Sequence, residues 1–271
     1  MSTPTTRQSA DLVRQIAVIS AVSFMLIAAM VGVGLFGGTA VQDLQDGALD
    51  TDGSYLAPAG NAFSIWSVIY IGLIAYAVWQ ALPGQRARER QRELGWLVAV
   101  TAVLNGVWLV VAQFATLPLT VAGIVVLLVA LGITFRRAVV TRTPGDGLVD
   151  SVLLDGVTGL HLGWVTVATV ANTAALLTRI GPDSWASAAN VWGVVVVIVV
   201  GVIGLAIAFA SGWRVTPTLA AGWGLFWLGM ERLGGQPQST PIGATALVVA
   251  AIVLLVPLVV AGLRLLRPST D

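Results

Sequence analysis

Val191-Trp-Gly-Val-Val-Val-Val-Ile-Val-Val-Gly-Val-Ile-Gly-Leu-Ala-Ile-Ala-Phe-Ala210 contains no charge, no amide and no hydroxyl. A helix that crosses a bilayer needs roughly 20 predominantly apolar residues. This stretch meets that length with nothing for water to solvate. Seven further apolar stretches accompany it, giving spans near 15–37, 60–82, 94–115, 117–136, 149–178, 188–210, 216–232 and 243–265. The chain is 57% hydrophobic and 10% charged, with a mean hydropathy of +0.90. Soluble domains carry about 25% charged residues. So few charges cannot cover a water-facing surface. The expected fold is an all-α integral membrane protein with eight transmembrane helices and no soluble domain.

The arginines orient it. Cytoplasmic loops retain positive charge, and an even span count puts both termini on one side. With both termini inside, Arg7, Arg14, Arg86, Arg88, Arg90, Arg92, Arg136, Arg137, Arg142, Arg214, Arg264 and Arg267 face the cytoplasm. Only Arg179 and Arg232 fall outside. The expected location is the plasma membrane, multi-pass, with both termini cytoplasmic. The first apolar run is too long for a cleaved signal and reads as a retained anchor. Pro83-Gly84, Pro118 and the Pro144–Gly147 turn fall at the proposed boundaries.

Composition removes several functions. No Cys excludes disulfides and thiolate metal sites. No Lys excludes a Schiff base. His161 is the single histidine, so a multi-histidine metal centre is excluded. A net charge of +1 gives no footprint for nucleic acid. The bilayer is the obvious partner. The outer segment 38–59 carries Asp43, Asp46, Asp50 and Asp52. It lacks the closing Glu of a calcium loop and reads as a solvated acidic loop. The run Arg86–Arg92 reads as a topology determinant that can also meet anionic headgroups.

Polar and aromatic groups at bilayer depth usually face the protein interior. In the second span Phe63, Trp66 and Tyr70 share a face. In the third, Thr101, Asn105 and Trp108 do. In the fifth, His161, Trp164, Ala168 and Asn172 follow at spacings of 3 and 4. Asp155, Gly159 and Gly163 lie on the opposite face, the glycines as a close-packing seam and Asp155 bonding a neighbouring helix. Asp150 returns to the His161 face. Trp79, Trp96, Trp185 and Trp213 fit an interfacial belt. Trp223, Trp227 and Glu231 share a face of the seventh helix, as a cavity wall or a lipid-facing belt. Taken singly, each intramembrane polar group is also accounted for by packing. Together they describe an aromatic pocket with a few polar anchors.

At these residues the chain resembles the TspO/MBR family, the tryptophan-rich sensory or translocator proteins. The resemblance rests on Pro58, Trp66 and Tyr70 within Ala57-Pro-Ala-Gly-Asn-Ala-Phe-Ser-Ile-Trp-Ser-Val-Ile-Tyr70. It continues in Leu104-Asn105-Gly-Val-Trp108, and in Trp164, Ala168 and Asn172. Phe63 lies one residue closer to the Trp than in the family, and Leu160-His161 replaces a Pro-Tyr pair. The resemblance covers about 13–178. It implies a five-helix membrane domain at 1–178 and a three-helix extension at 179–271. It also implies a pocket for tetrapyrroles or other bulky apolar ligands, with homodimers common. By position, Trp66, Tyr70, Asn105, Trp108, His161, Trp164 and Asn172 would bind the ligand. His161 would be available to a haem or porphyrin as an axial or hydrogen-bonding group.

Three functions compete. A membrane receptor or carrier for a hydrophobic or tetrapyrrole-like molecule follows from the stripes and the resemblance. A proton-coupled transporter would use Asp155 and His161 as its midplane groups. An intramembrane enzyme is disfavoured, because Asp150 and His161 stand about 16 Å apart along the axis.

Overall fold

The computed structural model describes residues 4–266, so Arg267 lies outside the described residues. Among these residues there is no strand. The long helices are α1 (Pro4–Gly32), α2 (Ile65–Ala81), α3 (Glu89–Phe114), α4 (Leu117–Val140), α5 (Val157–Ile180), α6 (Ala189–Ala210), α7 (Thr216–Gly234) and α8 (Thr240–Leu266). Each apolar stretch of the sequence falls on one of them. Seven are long and apolar enough to cross a membrane, α2, α5 and α6 with their adjoining turns. The eighth, α7, is not among the seven. Its glycines, Glu231 and Arg232 lower its hydropathy.

The boundaries differ from the apolar reading for local reasons. α1 begins well before residue 15, because its polar N-terminal residues are helical too. It stops at Gly32, and Gly34 then takes a left-handed φ of 89° that glycine adopts without steric cost. α3 starts inside the arginine run, so Arg90 and Arg92 are helical residues. Before α5 the chain forms a short helix, Leu148–Asp150, and then a π turn, Ser151–Gly156. An α-helix sets residues five apart at about 140° to one another. The wider π turn closes that angle, and Asp150 and Asp155 reach the same partner.

Packing divides the chain into two units. The first holds the residues up to Val41 and Trp66–Thr158; the second holds Gln42–Ile65 and the residues from Gly159 on.

In the first unit α3 is central, packed on α1 and α4. Gly95, Ala99, Ala102 and Gly106 are all buried on α3. A Cβ at Gly106 would come 2.6 Å from the Phe24 ring and 3.2 Å from the Met25 backbone. Small residues at this crossing let the helix backbones approach, as in other membrane helix pairs. Polar ties add to it. Gln15 Nε2 donates to the Gln80 carbonyl at 2.6 Å, and Gln80 Nε2 returns the bond to Gln15 at 3.1 Å. The Tyr76 hydroxyl donates to Gln91 Oε1 at 2.9 Å. These buried bonds link α1, α2 and α3, where no water would satisfy the amides.

In the second unit α6, α7 and α8 enclose an apolar core that includes Val197, Val200, Leu225, Leu228, Ile242 and Val253. Gly159 and Gly163 of α5 meet Thr216 and Pro217 at the start of α7. A Cβ on Gly163 would overlap the Pro217 carbonyl. The sequence seam is therefore a contact of backbone on backbone.

The acidic segment 42–58 is more than a solvated loop. Asp43, Asp46 and Asp52 are exposed, but Leu44, Ala48, Ser54, Leu56 and Ala57 are buried. Arg232 of α7 is fully buried beneath it. Its guanidinium donates to the carbonyls of Ser54 at 3.0 Å, Thr51 at 2.7 Å and Gln236 at 2.8 Å. At the end of α5, Arg179 donates to the carbonyls of Gln45 and Asp46.

Candidate functional site

The first unit brings four of the sequence-selected residues together. Trp66 and Tyr70 are one turn apart on α2 and their rings stack, with centroids 5.1 Å apart. Trp108 of α3 stacks on Trp66 from the other side of the crossing, at 6.4 Å and an interplanar angle of 27°. The Tyr70 hydroxyl donates to Asn105 Oδ1 at 3.3 Å. Asn105 is fully buried and fixes the phenol end of the stack. Trp108 is 5% exposed, and its indole Nε1 has no hydrogen-bond partner. A buried N–H without an acceptor costs about 1–3 kcal/mol. Tyr70 and Trp108 each stack on Trp66, and the set forms an aromatic wall with one buried, unpartnered donor.

The other three residues lie in the second unit, along α5. His161 and Trp164 are each 1% exposed, and Asn172 is 7% exposed. Asn172 Nδ2 donates back to the Ala168 carbonyl at 2.8 Å, while its Oδ1 has no partner. Phe63 meets Trp164 edge to face at 5.7 Å. This unit has a second aromatic set on α7, which the sequence left undecided between a wall and a belt. Trp223 and Trp227 meet edge to face at 5.7 Å. The Trp223 indole donates to the Ala62 carbonyl at 2.9 Å, and the Ala59 N–H donates to the Trp227 carbonyl at 3.3 Å. This face of α7 fastens the chain that leads into α2.

A charged cluster in the first unit was not apparent in the sequence. Arg90 is 7% exposed, and its guanidinium pairs with Asp150 and with Asp155 Oδ1, the latter at 2.6 Å. It also donates to the Ala138 carbonyl of α4 at 2.8 Å. Arg142 takes the other Asp155 oxygen at 2.6 Å and pairs with Ser151 Oγ. Asp146 lies 3.8 Å from Arg90 and accepts the Thr143 N–H at 2.8 Å. Burial opposes ionisation of Asp146. The Thr143 N–H, Arg90 and Arg142 outweigh it and hold its carboxyl below the usual carboxylate range. Asp155, expected to bond a helix along the Gly159–Gly163 seam, sits in the π turn before α5 and pairs instead with Arg90 and Arg142, while the seam meets Thr216 and Pro217. The helix it reaches is α3, through the arginine run that the sequence assigns to topology and anionic headgroups.

Comparison with known families bears on the whole chain. A family model described as TSPO-like protein matches residues 14–259. The match runs beyond residue 178, where the sequence resemblance ended, and takes in α6, α7 and most of α8. No curated protein and no solved structure matches the chain. With a match over most of its length, the chain belongs to the TSPO-like protein family.

Proposed function

We propose that the protein is a membrane receptor or carrier that binds a hydrophobic, tetrapyrrole-like molecule. The observation that carries the reading is the stacking of Tyr70 and Trp108 on Trp66. A porphyrin plane suits the half-buried Trp66 and Tyr70 rings, on which it can stack. Asn105 holds Tyr70 in place for the same contact. His161, Trp164 and Asn172 are assigned to the ligand on family resemblance. His161 has no open face, so an axial bond to a haem iron is not part of the proposal.

Titration with protoporphyrin tests it. Trp fluorescence of the purified protein is expected to quench saturably. Trp66→Ala and Trp108→Ala are each expected to weaken binding about tenfold, the scale of a lost aromatic contact with its buried area. Quenching that does not saturate, or that both variants leave unchanged, would count decisively against the reading. The transporter alternative loses support from the Asp155 geometry. Each of its oxygens is held by a guanidinium, as in a structural ion pair.

We also propose eight spans with both termini cytoplasmic, α7 being the eighth. The absence of Cys makes this directly testable. Gly145→Cys, in open space between α4 and α5, is expected to resist a membrane-impermeant maleimide added to intact cells. Asp52→Cys, exposed on the opposite side, is expected to label. The reverse pattern inverts the orientation.

A further inference from the structure

We propose that a groove between the first turns of α1 and α3 binds the ammonium–phosphate zwitterion of an aminophospholipid headgroup. The groove encloses ≈ 460 Å³, within the ~300–1,000 Å³ of small-molecule sites. Its place in the fold points to lipid. Arg7 and Glu89, which line it, lie in the polar first turns of α1 and α3, ahead of the apolar stretches that begin near residues 15 and 94. Headgroups meet a membrane helix at that level.

The lining is dipolar. Its floor is Asp11, on which Arg92 places Nε at 2.8 Å and Nη2 at 2.6 Å, and Arg14 places Nη1 at 3.3 Å. Arg14 is 1% exposed, and its Nε has no hydrogen-bond partner. Arg14 packs against Gly95 of α3 and gives Nη2 to the Arg86 carbonyl at 2.9 Å, so the partly exposed Arg92 is the guanidinium left to meet a phosphate. Arg7 adds a third positive charge to the lining.

Two glutamates also line the groove, one of them close enough to Arg92 to stabilise its charge. Glu89 and Glu93 sit four residues apart on α3, both exposed, and Trp96 follows three residues later on the same face. Like charges at this spacing repel. Among the described residues, neither glutamate is in an ion pair. A cation between them relieves the repulsion, and the Trp96 ring adds a cation–π contact. With Arg7, Arg14 and Arg92 against Asp11, Glu89 and Glu93, the lining is balanced in charge. It therefore favours a zwitterion over a simple anion or cation.

Native mass spectrometry of the full chain in detergent tests this. Short-chain phosphatidylethanolamine and phosphatidylglycerol are offered at equal concentration. The wild type is expected to hold the ethanolamine lipid at least about fivefold more, the scale of one cation–π or exposed ionic contact. Glu89→Gln/Glu93→Gln is expected to abolish that preference, and Trp96→Phe to reduce it, with elution and helicity unchanged. Free phosphoethanolamine as competitor separates the sources. Displacement at comparable concentration means the headgroup alone suffices; lack of displacement means the acyl chains are required. Equal or stronger retention of phosphatidylglycerol by the wild type overturns the proposal. So does a preference that persists in the double variant.

Discussion

Arg90→Leu is expected to destabilise the protein by about 3–5 kcal/mol, the cost of removing one partner from a buried ion pair. The substitution keeps apolar bulk at the site but removes every contact of the guanidinium. Asp150 is 1% exposed and Asp155 is 5% exposed, so neither can turn to bulk water. Arg142 still holds one Asp155 oxygen. Arg88 approaches Asp150 only to 3.9 Å and is more than a third exposed, so it replaces little. The Ala138 carbonyl of α4 also loses its donor. In detergent the melting midpoint is expected to fall on the order of 10 °C. A neutralising partner separates lost charge balance from lost packing. Arg90→Leu with Asp150→Asn and Asp155→Asn removes the stranded charges and is expected to recover at least half of the loss. A single variant that melts within about 2 °C of the wild type would show that the cluster contributes nothing measurable.

That cluster also shows how far the sequence could be read. Apolar length located all the long helices, because a lipid environment leaves the backbone no alternative to internal hydrogen bonding. Spacings of 3 and 4 placed Trp66, Tyr70, Asn105 and Trp108 on facing stripes, and those four do meet. The arginine run was harder. Its net charge announces topology and hides the fact that Arg90 lies one turn before buried Leu94, on the stripe that continues to Val98. That periodicity was available as a signal. The joint reach of Asp150 and Asp155 was not. A constant 100° per residue sets them on different faces, and the π turn that reunites them has no marker in Ser151-Val-Leu-Leu-Asp-Gly156. Long-range docking was equally hidden. Trp223 and Ala62 are 161 residues apart, and helical periodicity says nothing about such a pair.

The Arg232 anchor is the same kind of contact, with 178 residues between it and Ser54. Arg232→Leu is expected to cost about 3 kcal/mol and to free the segment it holds. A buried carbonyl that loses its donor costs about 1–3 kcal/mol. Here the carbonyl of buried Ser54 loses it, together with those of half-buried Thr51 and exposed Gln236. The total stays below their sum because the segment can lift and let water reach the carbonyls of Thr51 and Ser54. That relaxation is itself observable. Tyr55 and Leu56 lie just beyond Ser54, and Leu56 is 7% exposed in the folded chain. Chymotrypsin is therefore expected to cut at Tyr55 in the variant and to spare the wild type under native conditions. Arg232→Lys sharpens the test. An ammonium can reach one or two of the carbonyls but lacks the planar fork that engages three. It is expected to fall between the wild type and Arg232→Leu in both melting and cleavage. If Arg232→Leu melts normally and Tyr55 stays protected, the segment is held by its apolar contacts and the anchor is dispensable. If Arg232→Lys matches the wild type, charge alone accounts for the site, and the three-carbonyl geometry is incidental.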